Sequence, residues 1–177
     1  SVSLALPLSL LTSIYLCEYA TFTVKRLFYP IIDLLSGIPS VIYGVWGTLA
    51  IVPVISEKIA PRFVEYSSGY SVLAGGIVLA IMIIPLLVSI LTEIFSSLPD
   101  EIREASLSLG ATKWQTIKKV ILRKSAPGIL AAIVLAVSRA FGETIAVLMV
   151  CGNYTDIPKS IFDSCYPLPA LIANNYG

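Results

Sequence analysis

The chain has 177 residues, 56% hydrophobic and 13% charged, with a mean hydropathy of +0.88. Soluble domains carry about a quarter of their residues as charges, so this balance excludes an ordinary water-soluble domain and indicates a membrane protein. Twelve Lys and Arg against eleven Asp and Glu leave a net +1, which gives no sign of a nucleic-acid partner. The absence of histidine excludes histidine-based metal sites and Ser-His or Cys-His catalysis. Cys17, Cys151 and Cys165 have no metal-ligand spacing, so neither metal nor cofactor is expected.

Val2 to Ala20 forms a first apolar span, just long enough to cross a hydrocarbon core of about 30 Å. Pro7 can kink it, Cys17 reads as a small apolar filler, and Glu18 lies near its end as an interfacial carboxylate close to Lys25 and Arg26. Ser1 is not a start methionine and no charged leader precedes the span, so an internal piece of a longer membrane protein is expected. The second span is expected at 31–55. Ser36, Ser40, Gly44 and Thr48 recur there every fourth residue, and with Gly37 and Gly47 they give a ridge of small residues suited to close helix packing in lipid. Pro39 is placed to bend or interrupt it. Residues 56–70 read as a polar connection with Glu57, Lys58, Arg62 and Glu65, and 71–95 as a third span with Pro85 inside it.

Residues 96–127 are polar between two apolar spans. Pro99, Asp100 and Glu101 suit a first helical turn, and Ile102, Ala105 and Leu109 share one face. Gly110 suits the left-handed residue that closes a helix. Thr112-Lys113-Trp114-Gln115 has capping-box spacing and predicts a second helix, with Trp114, Ile117 and Ile121 on one side and Lys118, Lys119 and Arg123 around the other. The pattern predicts a helix, a glycine turn and a helix at a membrane surface.

The fourth span is expected at 128–150, with Arg139 at its middle. An arginine at that depth costs about 2.5–3.5 kcal/mol even on a lenient scale. On a continuous helix Glu143 shares its face, with Ser138 and Gly142 beside them. Two readings follow: a self-neutralising pair buried in the bundle, or a polar stripe along a path for an anion, whose oxygens fit the guanidinium fork. Residues 151–177 form a tail, and its apolar run 168–172 is too short to cross. Cys151 and Cys165 lie in it, as two free thiols or as a pair.

Lys25, Arg26, Arg103, Lys113, Lys118, Lys119, Arg123 and Lys124 share one side if all four spans cross, against Lys58, Arg62 and Lys159 on the other. That asymmetry predicts residues 96–127 in the cytoplasm and the tail outside.

Glu104-Ala105-Ser106 with Gly110 resembles the EAA loop of ABC importer permeases, with a serine where the family usually has a second alanine. Ser138-Arg139-Ala140-Phe141-Gly142-Glu143-Thr144 is similar to the RA-x-GET segment of phosphate-specific permeases. Residues 37–47, from Gly37-Ile38-Pro39-Ser40 to Tyr43-Gly44-Val45-Trp46-Gly47, resemble the IPS-x-x-YG-x-WG segment of the PstC-type subunit. The resemblance implies an all-α, polytopic bundle of the type I, MetI-like permease fold, here a fragment of a six-span subunit of the prokaryotic plasma membrane. It implies a non-enzymatic path for phosphate, with Arg139, Glu143, Ser138 and Gly142 facing it and Glu104, Ala105, Ser106 and Gly110 docking an ABC ATPase. Ser36, Pro39, Ser40, Gly44 and Gly47 serve helix packing. A second permease subunit, an extracytoplasmic phosphate-binding protein and membrane lipid are the other implied partners. A permease for another oxyanion, the sister phosphate subunit, or an ion channel are the alternatives. An intramembrane enzyme is disfavoured, because Asp33 alone cannot do paired-carboxylate work.

Overall fold

The computed structural model describes residues 1–63 and 68–175. Among them the fold is helical throughout: α1 (Val2–Tyr19), α2 (Phe22–Ser36), α3 (Ser40–Arg62), α4 (Val72–Ser96), α5 (Asp100–Ser108), α6 (Lys113–Lys124), α7 (Ala126–Gly142), α8 (Ile145–Val150) and α9 (Leu168–Asn175). Helices α1, α3 and α4 are each long and apolar enough to cross a membrane, and α6 with α7 forms a further candidate bent by 66°. An all-helical answer is what lipid demands, since a helix satisfies its backbone groups within one segment.

The central element is α4. It is apolar all round from Val72 to Val88, and Val78, Ile83, Leu87, Leu91 and Phe95 are buried to 1% exposure or less. It runs parallel to α1 in a fixed register. Ser9 Oγ donates to the Ile84 carbonyl at 3.4 Å, Ser13 Oγ to Val88 at 3.2 Å, and Cys17 Sγ to Thr92 at 3.5 Å. These small polar side chains stand four residues apart, on one face of α1, and they let the two backbones approach while satisfying their own hydroxyls. Parallel packing requires the chain to return between the two helices, and α2 and α3 make the return.

That return is broken where the sequence suggested one continuous span from 31 to 55. Helix α2 ends at Ser36, Gly37 closes it, and α3 starts at Ser40 with Pro39 as its N-cap. Pro39 has no N–H to donate and pushes Ile38 out of the helical region. Tyr43 spans the break, its hydroxyl donating to the Leu35 carbonyl at 2.9 Å. Helix α3 then continues through π-helical turns at Gly47–Ile51 and Ile55–Ile59 to Arg62. Glu57, Lys58 and Arg62, expected in a connection, are therefore helical; Glu65 lies outside the described residues.

Among the described residues the interior divides into two large apolar clusters and a small one of Leu16, Ile32 and Val88, where α1, α2 and α4 meet. One of the large clusters joins Ala5 and Ile14 of α1, Ile83, Leu87 and Leu91 of α4, Ile117 and Ile121 of α6, and Ala132 and Ala136 of α7. The other joins Tyr43 and Val52 of α3, Ala74, Val78 and Met82 of α4, and Ala146, Val147 and Val150 of α8. Helix α4 passes through both, with Pro85 near the boundary. The fourth apolar run also breaks at that boundary: α7 ends at Gly142, Glu143 is extended (φ −75°, ψ 120°), and α8 begins at Ile145. Glycine is a poor helix former, and the Glu143 carboxylate turns back to accept from the Ala146 N–H at 3.2 Å, as a capping group does.

Candidate functional site

Two helix breaks precede the pairing of α3 with α8, Gly37–Pro39 between α2 and α3, and Glu143–Thr144 between α7 and α8. A break leaves half-helix ends, with backbone N–H and C=O groups that have no intrahelical partner. In membrane proteins such ends are tolerated where they are buried in protein or line a cavity. Arg139 lies in the last turn of α7, just before one break, and Tyr43 bridges the other. The helical-phase argument placed Glu143 on the same face as Arg139. The structure separates them, because the helix stops at Gly142 and the carboxylate of Glu143 is committed to Ala146. Among the described residues Arg139 makes neither an ion pair nor a hydrogen bond, and the ion pairs present are both those of Arg103. Arg139, Ser138 and Gly142 are exposed on the side of α7, while Glu143 is half-buried. The arrangement is a cation with no ion pair among the described residues, beside the break that ends α7.

The ridge of small residues divides in the same way. A Cβ added to Gly44 would lie 3.1 Å from Ala146 Cα and 2.8 Å from Met149 Sδ; one added to Gly47 would lie 2.6 Å from Val78 Cγ2 and 3.0 Å from Val150 Cγ1. Both glycines therefore set the spacing of α3 against α4 and α8. Thr48 Oγ1 donates to its own Gly44 carbonyl at 2.9 Å and lies 3.5 Å from the Met149 carbonyl. Ser36, on the far side of the break, donates to Asp33 within α2, and Ser40 opens α3 in a half-buried position. The break at Pro39 separates Ser36 from Ser40, Gly44 and Thr48, which remain on α3.

The polar segment adopts the helix–glycine–helix form its sequence indicates. Asp100 and Glu101 occupy the first turn of α5, where carboxylates favour the helix dipole. Gly110 has φ +82°, a conformation that costs about 1–2 kcal/mol for residues with a Cβ. The Thr112–Gln115 capping box is complete, with Gln115 N–H to Thr112 Oγ1 at 3.3 Å and Thr112 N–H to Gln115 Oε1 at 2.9 Å. Ser106 Oγ shares a hydrogen bond of 2.9 Å with Thr116 Oγ1, tying α5 to α6. Ile117 and Ile121 are buried, but Trp114, expected beside them, is 55% exposed in the first turn of α6. Glu104, Ala105, Leu107 and Leu109 remain exposed on α5 and its end, an uncovered face of mixed character.

The sequence reading assigned Glu18 to the neighbourhood of Lys25 and Arg26. Its carboxylate instead accepts from Arg103 Nε at 3.0 Å, and Lys25 Nζ donates to the Cys17 carbonyl at 3.1 Å. The ends of α1 and α4 thus lie at the same end of the bundle as α5 and α6. Asp33 and Glu93, remote in sequence, line one small opening of about 230 Å³ with Ser89, Thr92 and Ser96. Cys151 and Cys165 are both free, and the Cys165 N–H donates to the Cys151 carbonyl at 2.9 Å.

The described residues form a bundle of apolar helices with two helix breaks and an exposed helix–glycine–helix, the architecture of a multi-pass membrane protein. Residues 5–173 match the family described as binding-protein-dependent transport system inner membrane component, and the chain belongs to that family, as a multi-pass membrane protein. It is 43% identical to the probable ABC transporter permease protein YqgH of Bacillus subtilis, over all of this chain and 56% of that protein. It is 36% identical to the probable phosphate transport system permease protein PstC of Methanocaldococcus jannaschii, over all of this chain and 59% of the relative. The phosphate transport system permease protein PstC of Haemophilus influenzae is 34% identical, over 98% of this chain and 60% of its own length. The chain thus spans a little over half the length of the curated relatives it matches.

Proposed function

We propose that the protein is a permease subunit of an ATP-driven importer of inorganic phosphate in a prokaryotic plasma membrane. ABC ATPases on the cytoplasmic side, a second permease subunit and an extracytoplasmic phosphate-binding protein complete the machine. Residues 96–127 are the cytoplasmic coupling loop and 151–177 lie outside. The observation that carries the reading is Arg139: a guanidinium with no ion pair among the described residues, beside the break that ends α7, in a chain with relatives named for phosphate transport.

The chemistry follows from that geometry. A cation held at mid-depth is costly, and an arriving phosphate compensates it with oxygens that match the planar fork of donors. Because the contact is a single side chain on a helix end, it attracts the anion without enclosing it. Glu143 holds the start of α8 through Ala146, so it shapes the break that presents Arg139. Glu104 to Gly110 dock in the ATPase, and nucleotide-driven movement there opens the path alternately to either side. The permease itself makes and breaks no covalent bond.

The test is phosphate uptake by the full-length permease in its complex. Arg139→Gln should reduce uptake at least a hundredfold with normal complex yield, since the neutral amide loses the charge that draws phosphate. Arg139→Lys should keep part of it. Wild-type uptake by Arg139→Gln would remove the arginine from the path.

A further inference from the structure

We infer that Arg103 is a positioning residue which, through Glu18, fastens the coupling helix α5 to the end of the first span. Every donor group of its guanidinium that is placed is engaged. Nε donates to Glu18 Oε1 at 3.0 Å, Nη1 to the Leu98 carbonyl at 2.9 Å and to Asp100 Oδ1 at 3.0 Å, and Nη2 to the Phe95 carbonyl at 2.7 Å. The side chains of Arg103 and Glu18 are 18% and 10% exposed, whereas that of Asp100 is 88% exposed. Charge pairs withdrawn from water are screened least, so Glu18 is the strong partner and Asp100 the weak one.

Each contact has a mechanical meaning. The bonds to Phe95 and Leu98 satisfy carbonyls at the C-terminal end of α4, where a cation also suits the dipole. The bond to Glu18 reaches a different helix, at the π-helical last turn of α1, Tyr15–Tyr19. A second grip on that turn comes from α6, where Lys113 Nζ lies 4.7 Å from the centre of the Tyr19 ring. Both limbs of the helix–glycine–helix therefore hold the same turn. Helix α1 is in addition locked to α4 by Ser9, Ser13 and Cys17. A push on α5 is transmitted to α1 and α4 together, and through them to the cluster that holds α7. Helices α3 and α8 belong to the other cluster, which α4 enters through Ala74, Val78 and Met82, so a movement of the coupling helix reaches α7 through the first cluster and α3 and α8 through α4.

The transmission role rests on the permease reading above, but the tie itself does not, and the experiment separates them. In the full-length permease, purified with its ATPase and reconstituted, three quantities are measured: hydrogen exchange over residues 100–108, phosphate uptake, and ATP hydrolysed. Glu18→Ala leaves the bonds of Arg103 to Phe95 and Leu98 in place, so it tests the tie apart from the capping of α4. It should speed exchange over 100–108 about tenfold, the scale of one lost charge-assisted bond, and raise the ATP hydrolysed per phosphate imported at least threefold. Arg103→Gln should do the same, and the double variant should be within twofold of Arg103→Gln, because Glu18 acts through Arg103. Should Glu18→Ala fail to assemble, Glu18→Gln removes the charge while keeping the shape. Unchanged exchange, a wild-type ATP ratio despite faster exchange, or losses that multiply in the double variant would each overturn the inference. A chain that recruits no ATPase would sink the permease reading instead, and exchange alone would then decide the tie.

Discussion

Replacing Gly47 with alanine tests how the outer half of the bundle is packed. The new methyl carbon would stand 2.6 Å from Val78 Cγ2 and 3.0 Å from Val150 Cγ1, against ordinary carbon contacts of about 3.5–4.0 Å. Neither neighbour has room to yield, since Val78 and Val150 are 1% and 0% exposed. A helical valine is also held to essentially one rotamer. Relief must come from separating α3 from α4 and α8, and overpacking of this kind costs about 1–3 kcal/mol. At about 2–4 °C per kcal/mol for a chain of this size, the melting temperature should fall by about 2–12 °C. The assay is the thermal midpoint of the purified full-length protein in detergent, followed by loss of the monodisperse peak after heating. Gly76→Ala is the control, because a Cβ there meets nothing within 4 Å; it should leave the midpoint unchanged or raise it slightly, as glycine in a helix interior is costly. Val78→Ala in the Gly47→Ala background should recover part of the loss. Equal midpoints for Gly47→Ala and Gly76→Ala would refute the packing argument.

Gly110→Val places a β-branched residue at φ +82° and should misalign α5 against α6, abolishing the stimulation of ATP hydrolysis by loaded binding protein in the reconstituted complex; full stimulation would count against docking at this loop. Burial pushes the Cys151 thiol up to about 12 and also raises that of Cys165. Cys151 is buried and Cys165 half-buried, so at pH 8 a thiol alkylator should modify Cys165 before Cys151, and the reverse order by mass spectrometry would contradict the placement. Because the folded state holds Cys151 neutral, the associated stability is complete below the ordinary thiol range and is lost as pH rises towards about 12. The Cys165 N–H bonds the Cys151 carbonyl at 2.9 Å and both thiols are free, so a mild oxidant should join them, and a non-reduced digest without the Cys151–Cys165 peptide pair would exclude that neighbourhood.

The sequence alone determined those features that depend on neighbours along the chain. The apolar run of α4, the acidic first turn of α5, the left-handed Gly110 and the Thr112–Gln115 capping box all follow from periodicity, the helix dipole and local hydrogen bonding, which operate within a few residues. Arg139 also stood out unaided, since a charge inside an apolar run is costly wherever the run packs. Its relation to Glu143 did not. A four-residue spacing implies a shared face only on an unbroken helix, and whether Gly142 ends the helix depends on Ala146 and Val150 packing against Gly44 and Gly47 of α3. The interruption at Pro39 was foreseen as a possibility, but its place as the boundary between α2 and α3 is fixed by Tyr43 reaching back to Leu35. Glu18 shows the limit most clearly. Lys25 and Arg26 are its nearest cations in the chain, yet the parallel register of α1 on α4 delivers it to Arg103. No local pattern encodes that register; it arises because Ser9, Ser13 and Cys17 find acceptors on a helix that enters the sequence only after the chain has left and come back.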